Sequence, residues 1–307
     1  SHEYSGTEVL PGMTFLDCLF SAAASLRSNK LRTALTTLGI IIGVAAVIAM
    51  VGVGKGAEKR IDEAIQGLGA NVLFVRKGTS VSGGVRGGSN SKVSLTRADA
   101  EAIERQAPAI AIAAPTVRTT GQVVFGNSNW FTTVYGVGDA YLRARDWTIG
   151  DGRTFNPQEE RSSAKVAIIG ETIVEQLLGS QNPIGTIIRL DRIPFRVIGV
   201  THPKGESSWG RDHDDVVFVP ISTAKSRMNV GERFRGRFVR DITVKARSAD
   251  LLGEAEQQII EVLRQRHRIR PGQPDDFYVR NIAQYLEARA KSERTMSMLL
   301  AAVAGIS

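Results

Sequence analysis

The sequence predicts a membrane-anchored α+β protein, in which apolar helices flank a mixed globular domain that contains an inserted β-rich part. Three observations predict this fold class. Residues 35–53 carry no charge, two strand–helix–strand patterns enclose a stretch rich in short strands, and another uncharged run occupies 295–307. The remaining composition, with 42% hydrophobic and 23% charged residues, is that of an ordinary folded domain.

The first apolar segment is long enough to cross a bilayer. No charged residue lies between Arg32 and Lys55, and a helix that rises about 1.5 Å per residue crosses a hydrocarbon core of about 30 Å in some 20 residues. A core helix of this length would show a polar face, so we predict a transmembrane helix. Gly39 and Gly43 lie four residues apart on one face, where another helix can approach closely.

A second helical pattern precedes this span. In 15–26 the apolar residues recur at helical spacing, with polar residues opposite and basic residues following. This pattern predicts an amphipathic helix in the membrane interface, and packing against other protein is the alternative. Residues 1–54 are therefore assigned to the interfacial helix and the first transmembrane helix.

Two strand–helix–strand units follow. The first has a strand at 71–76, a helix at 97–106 that Ser94 or Thr96 can cap, and a strand at 109–118 that Pro115 breaks. The second has strand 238–246, helix 251–267 and strand 277–281. Two such units suggest a ferredoxin-like α+β layer built from 55–118 and 237–290.

The part between the two units reads as an inserted β-rich subdomain, 119–236. Glycine and proline punctuate it, which is typical of short strands joined by turns. Strands are expected at 122–125, 131–137, 165–169, 186–190, 195–200 and 216–219, with a short helix at 171–178. Beyond the second unit, 282–307 is interrupted only by Gly305, which predicts one helix that enters a second span, truncated here, over 291–307.

Motifs for catalysis are missing from the sequence. The GVGKG stretch at 52–56 lacks the spacing of a phosphate-binding loop, and there is no G-x-S-x-G or H-E-x-x-H motif. The run Asp212–Asp215 includes His213 and could suggest a metal site, but a polar turn before the next strand explains it better. We therefore expect no catalytic residue, no metal and no cofactor in this chain.

The basic residues suggest a membrane rather than nucleic acid as partner. The net charge is +8, but the Lys and Arg residues are spread along the chain, and beside a membrane helix they favour anionic lipid head groups. One series alternates as a strand would: Arg233, Arg235, Arg237 and Arg240. It is either a solvated edge strand protected against aggregation or a contact surface for lipid phosphate or an acidic partner.

Several motifs in succession carry a family resemblance. They are NKLRTALTTLGIIIGVAAVI at 29–48, GLGANVLFVRKG at 67–78, YGVGDAYL at 135–142, GDGRTF at 150–155, VAIIGETIVEQLLGSQNPIGTIIRL at 166–190, FRVIGV at 195–200 and DDVVFVPISTA at 214–224. Together they resemble MacB-type ABC exporter permeases over about 26–307. Each motif alone is weak, whereas their order along the chain is specific.

The resemblance implies a four-span permease of the bacterial inner membrane, with a large periplasmic domain between the first two spans. That domain would combine a porter-like α/β part with an inserted β-rich lobe. Such permeases form dimers and work with an ABC ATPase that binds ATP. They often join a periplasmic membrane-fusion adaptor and an outer-membrane duct to expel macrolides, peptides or siderophores. The sequence carries no nucleotide-binding domain, so the ATPase is expected on another chain or another part of the protein.

Two other functions stay open at this stage. A permease of the same architecture could release lipoproteins or regulate cell-wall hydrolases, in which case it would co-purify with those partners instead of an adaptor and duct. A membrane-tethered sensor or binding module, from a different class, would have a ligand pocket in the insertion and no ATPase partner. The charges on both sides of the first span are balanced, so its orientation rests on the resemblance.

Overall fold

The computed structural model describes most of the chain between residues 30 and 281. The described residues are 30–68, 71–78, 81–82, 85–86, 95–206, 212–231, 234, 236–281, 288, 291–292, 295–296 and 298–299. The chain divides into two compact units, Ser1–Ala57 with Lys291–Ser307, and Glu58–Ala290. The interfacial helix expected at 15–26 lies outside the described residues, as does most of the expected continuation beyond 281.

The first unit contains most of one long helix, α1, Lys30–Leu68. Within its segment Lys30–Gly56, the most apolar stretch of 18 residues has a mean hydropathy of 2.5, and none of that stretch is buried. Large side chains such as Leu35, Ile41 and Ile48 are exposed along it. A long apolar helix with exposed side chains is what a bilayer would cover, and α1 is the one such helix among the described residues.

The second unit is a mixed α/β domain built around a long twisted sheet. Its strands are β1 (Val72–Lys77), β4 (Ile110–Phe125), β5 (Ser128–Val137), β6 (Ile149–Gly152), β7 (Val166–Ile169), β8 (Ile187–Leu190), β9 (Ile193–Thr201), β10 (Val216–Pro220), β11 (Asp241–Ala246) and β12 (Phe277–Asn281), besides the separate pair β2 (Val81–Ser82) and β3 (Val85–Arg86). The sheet runs in the order β12-β1-β11-β4-β5-β10-β7-β9-β6, and β8 pairs with β4 and β9.

Helices pack on both faces of this sheet. They are α2 (Arg97–Gln106), α3 (Asp139–Ala144), α4 (Pro157–Arg161), α5 (Glu171–Ile173), which continues as a π-helical turn over Val174–Leu178, α6 (Ile221–Arg227) and α7 (Leu252–Arg266). The larger core includes Ile103, Ile242 and Ile259 from α2, β11 and α7. A second core on α3 and β10 includes Tyr141 and Phe218.

The strand–helix–strand units predicted from the sequence are present. The helices at 97–106 and 252–266 agree with the patterns, and Thr96 caps α2 by accepting a hydrogen bond from the N–H of Asp99. Strand β11 begins at Asp241, three residues later than expected, because Phe238 only bridges to Thr96 before the strand starts. The domain boundaries stay a prediction, and β4 runs straight across the one placed at 118.

One expectation about β4 is wrong, since Pro115 does not break the strand. Pro115 lies opposite Ile242 of β11, inside a strand of 16 residues. The carbonyl of Thr116 accepts the N–H of Arg240 and so faces β11. Neighbouring residues alternate, so the proline nitrogen faces the other side, where pairing with β5 begins only at Val117. The missing N–H therefore costs no hydrogen bond of the sheet.

Candidate functional site

One surface feature of the second unit is a cleft over one face of the sheet, which we call the basic cleft. It has two adjoining cavities of about 220 Å³ and about 350 Å³ that share Arg76 and Arg118. The first is lined by Phe74, Arg76, Arg118, Thr133, Tyr135, Tyr141, Arg145, Trp147, Asp212, His213, Asp215, Val216 and Phe218. The second is lined by Arg76, Lys77, Arg118, Phe234, Arg240, Asp241 and Tyr278.

The strand period places these residues together. Phe74 and Arg76 are two residues apart on β1, so both face the same side of the sheet. Arg118 of β4 lies opposite Tyr135 of β5, which in turn lies opposite Phe218 of β10. Basic and aromatic side chains from four strands thus share one surface.

Aromatic rings form the apolar wall of the first cavity. The rings of Tyr135 and Tyr141 stack with their centroids 5.9 Å apart, and Trp147 meets Phe218 edge-on at 5.3 Å. Burial raises the pKa of the Tyr141 phenol to about 12, so the ring stays neutral at any physiological pH. The wall is therefore rigid and uncharged, and it is suited to flat apolar groups.

Arg145 is the buried cation of the cleft. Only 9% of its surface is exposed, and its buried Nε has no hydrogen-bond partner. The guanidinium carbon lies 5.5 Å from the centre of the Phe74 ring and 6.0 Å from that of Tyr141. Ring faces stabilise the charge in part, but no carboxylate among the described residues pairs with it.

The floor of the second cavity holds one partly buried carboxylate. Asp241 lies opposite Arg76 in the β1–β11 ladder, with its Oδ1 3.2 Å from the Nε of Arg76. Its Oδ2 is 3.8 Å from the Nε of Arg240. Burial raises the pKa of Asp241, and the attraction of Arg76, Arg240 and Arg118 offsets that rise only partly.

Lys204 lies next to Arg145 and Trp147, two residues that line the first cavity. Its ammonium group donates a hydrogen bond to the carbonyl of Arg145 and lies 4.6 Å from the centre of the Trp147 ring. Burial, followed by repulsion from Arg145, lowers its pKa to about 8. Burial is thus the main cause of this shift, and the attraction of Asp146 and Asp214 opposes the repulsion from Arg145.

The structure separates the arginines that the sequence grouped. Arg240 joins the basic cleft, whereas Arg237 lines a different cavity of about 640 Å³ near α2, with its guanidinium carbon 5.0 Å from the centre of the Phe238 ring. Arg233 and Arg235 lie outside the described residues. Contact of this series with lipid or an acidic partner stays a prediction, as does helix packing at Gly39 and Gly43, where an added Cβ would meet nothing within 4 Å.

The cavity near α2 is bounded by an ionic network around Asp99. Its buried carboxylate accepts hydrogen bonds from the N–H and Oγ1 of Thr96, at 2.8 and 2.6 Å, and from the Nε of Arg266 at 2.7 Å. The Nε2 of His267 lies 3.4 Å from it, while the Nδ1 of the same ring is 2.8 Å from Asp276. The network ties α2, α7 and the start of β12 together.

The acidic run before β10 closes a loop, as the sequence suggested. Asp214 accepts backbone N–H groups from Lys204 and Gly205, and Asp215 accepts the indole N–H of Trp130 at 2.9 Å. Asp212 accepts the hydroxyl of Thr172. With these oxygens already bonded, the described residues show no group of side chains that could hold a metal ion.

The sequence reading missed the cleft residues Arg76, Arg118 and Arg145. A weak signal was present, since Phe74 and Arg76 alternate with fully buried residues on β1. Basic and aromatic residues at every second position of a strand indicate that this face of the sheet takes part in contacts and is not simply exposed to solvent. Only the strand order, however, shows which of these positions meet.

Comparison with protein families gives one match that covers most of the chain. The family model described as "MacB-like periplasmic core domain" matches residues 33–262. Among curated proteins, macrolide export ATP-binding/permease protein MacB of Syntrophobacter fumaroxidans is 38% identical, over 95% of this chain and 48% of its own length. The MacB protein of Chlorobium luteolum is 40% identical, over 94% of this chain and 43% of its own. The chain thus spans less than half the length of these relatives.

Two solved structures share the fold. The periplasmic region of MacB from Actinobacillus actinomycetemcomitans aligns with a TM-score of 0.58 at 25% identity, over 75% of this chain and 97% of that one. The extracellular domain of the noncanonic ABC-type transporter YknZ from Gram-positive bacteria gives a TM-score of 0.54 at 19% identity, over 69% and 100%. The second likeness concerns the fold alone.

Proposed function

Since the chain belongs to the MacB-like periplasmic core domain family, we propose that it is the permease subunit of an ABC-type efflux system. Residues 58–290 would lie in the periplasm and the apolar segment of α1, Lys30–Gly56, in the bacterial inner membrane. A partner ATPase would drive export of a macrolide-, peptide- or siderophore-like compound through a periplasmic adaptor and an outer-membrane duct. The observation that carries the proposal is the family match, which begins inside the apolar helix and continues through the α/β domain.

We assign a porter-type layer to one end of the sheet. Numbered by chain position, β1, β4, β11 and β12 are strands one to four of this layer, and they lie in the order four-one-three-two with antiparallel neighbours. Helices α2 and α7 connect the first to the second strand and the third to the fourth. This connectivity is that of a ferredoxin-like layer, and the stretch between β4 and β11 would be the inserted lobe.

In this proposal the chain transmits motion and catalyses no reaction. ATP would bind the partner ATPase, and the permease would act as a homodimer whose helices move when the ATPase closes. Helix α1 continues without interruption from Lys30 to Leu68, past the end of the apolar segment at Gly56. A continuous helix can carry a displacement of its membrane part into the residues that follow it, whereas a flexible joint would absorb it.

Transport measurements test the function directly. In the source organism, deletion of the gene should raise the intracellular level of a radiolabelled macrolide, peptide or siderophore, and the intact gene should restore efflux. The restoration should require the adaptor and the ATPase. Unchanged accumulation of all three compound classes, with co-purification of a lipoprotein carrier or a cell-wall hydrolase, would contradict export and favour the other permease functions.

Insertion of a short glycine linker tests the coupling. Placed after Gly56 in α1, the linker should abolish transport in the complete system while basal ATP hydrolysis continues. The matched control is the same linker after Gly272, in a turn between α7 and β12 with open space around it. Full transport with the α1 linker would show that the helix does not transmit the motion.

A further inference from the structure

We propose that the basic cleft binds a small organic anion with a flat apolar body, whose carboxylate is bound by the guanidinium groups of Arg118 and Arg145. This site is independent of the proposed efflux function, since it rests on the cleft alone. Its lining matches the two parts of such a ligand, because aromatic rings and arginines both line the cleft.

The first argument is the lack of a partner for Arg145. A charge removed from water is costly unless an opposite charge or hydrogen-bond acceptors compensate for it. Arg145 is only 9% exposed, and its Nε is buried without a partner. A ligand carboxylate in the cavity that Arg145 lines would place an opposite charge beside this guanidinium, and a planar guanidinium binds carboxylates with two parallel hydrogen bonds.

The second argument is the balance of charge. The carboxylates that line the cleft are already engaged: Asp241 with Arg76, Asp215 with the indole of Trp130, and Asp212 with Thr172. Neither Arg118 nor Arg145 forms an ion pair within the part of the chain that the structure describes. Five basic side chains line the cleft against these three carboxylates, so it keeps a positive surplus; they are Arg76, Lys77, Arg118, Arg145 and Arg240.

The third argument is size and shape. The two cavities, of about 220 Å³ and about 350 Å³, suit a small molecule. Tyr135 stacks on the buried ring of Tyr141 and, being only partly buried itself, offers a flat apolar surface to an aromatic or similar ring. The acyl chains of a phospholipid would need a longer apolar channel, so we assign the cleft to a soluble anion.

Calorimetric titration of the 307-residue chain, solubilised in a non-ionic detergent, tests the proposal with 2-naphthoate as the probe. The uncharged isostere 2-naphthamide measures what the ring contributes alone. Hydrogen bonds between charged groups are worth roughly 10- to 100-fold in affinity, so the acid should bind tighter than the amide by about that factor. Arg118→Gln and Arg145→Gln should each remove most of this preference.

A matched control removes the same charge elsewhere. Arg189 occupies an exposed position of β8, so Arg189→Gln should leave the binding of naphthoate unchanged. If Arg145→Gln fails to fold, as judged by circular dichroism, Arg118→Gln decides the question. Equal affinity for acid and amide, or wild-type affinity in the folded Gln variants, would overturn the proposal. Displacement of naphthoate by phosphatidylglycerol vesicles but not by excess benzoate would overturn the assignment to a soluble anion.

Discussion

The Nε of Arg266 lies 2.7 Å from the Oδ1 of Asp99, a contact that joins the last turn of α7 to the first turn of α2. The two residues are 167 positions apart in the chain. Asp99 also closes the capping box of α2 with Thr96. One carboxylate thus fixes a helix start and holds the end of another helix against it.

Replacement of Asp99 should destabilise the α/β domain strongly. In Asp99→Ala the guanidinium of Arg266 would lose its carboxylate, His267 would keep only its contact with Asp276, and α2 would lose its capping box. Loss of one member of a buried pair costs about 3–5 kcal/mol; because Arg266 is partly exposed we expect the low end of that range, and the lost helix cap adds about 1 kcal/mol. Urea unfolding followed by tryptophan fluorescence measures the loss. The control Glu101→Ala removes an exposed ion pair with Arg97 and should cost under about 1 kcal/mol.

Stability should fall on the alkaline side because of His267. Hydrogen bonds to Asp276 and then to Asp99 raise its pKa from 6.5 to about 9. The stabilisation is fully present below the unfolded pKa of 6.5 and is lost as pH rises through about 9. Urea titrations at a series of pH values should show a loss on the order of 2 kcal/mol across this range.

The variant His267→Gln isolates this pH effect. It should be less stable than the wild type below pH 6.5 and should lack the decline in stability as pH rises to about 9.

Asp99 affects stability at acidic pH instead. Burial alone would raise its pKa, but hydrogen bonds from His267, Thr96 and Arg266 lower it well below the ordinary value of 3.8. Its contribution is thus present above that value and lost only in stronger acid, so a wild-type decline confined to acid would contradict the assignment to His267.

A methyl group at Gly170 should be poorly tolerated. A Cβ there would lie 2.0 Å from the carbonyl oxygen of Asp214. The two backbone segments cannot easily separate, because the Gly170 N–H donates a hydrogen bond to the carbonyl of Val216. Gly170→Ala should therefore cost about 1–3 kcal/mol or more. Gly253→Ala, in α7 with nothing within 4 Å, should instead raise stability by up to about 1 kcal/mol. Thermal unfolding of the two variants should move the midpoint in opposite directions.

Acidic residues in the middle of α1 should prevent its insertion into a bilayer. Ile41 and Val44 are exposed on its apolar segment, and each Asp at the centre of a span costs about 2.5–3.5 kcal/mol. The variant with Ile41→Asp and Val44→Asp should become extractable by alkaline carbonate, whereas Ile41→Leu with Val44→Leu should stay in the membrane fraction. Retention of the acidic variant would mean that α1 is not a membrane span.

Local signals were enough for much of the fold. The start of α2 could be predicted because Thr96 and Asp99 form a cap from neighbouring residues, and β12 because the Gly and Pro residues at 271–274 mark a turn before it. Short helices such as α3 and α6 were missed, since six or seven residues give too little periodicity. The prediction at Pro115 was wrong because a strand tolerates proline only where its nitrogen faces an unpaired side. Which side of β4 is unpaired depends on the order of the strands in the sheet, and the sequence does not show it.

The candidate site was less accessible to sequence reasoning. Arg76 meets Asp241 through strand pairing over more than a hundred residues, and Arg145 enters the cleft from a loop after α3. Of the two predicted arginines that the structure describes, Arg240 lines the cleft, and it does so as a residue preceding β11 and not through strand alternation. Contacts of this kind depend on topology, which no local pattern encodes.

Strand β4 pairs with β11 along its first half and with β5 along its second half. One unbroken strand therefore belongs to both ends of the sheet. A hinge motion between the two ends would have to bend this strand or break its hydrogen bonds. We expect a force applied to one end of the sheet to change the twist along this shared strand. The basic cleft spans that strand, and its opening would widen or narrow as the sheet twists.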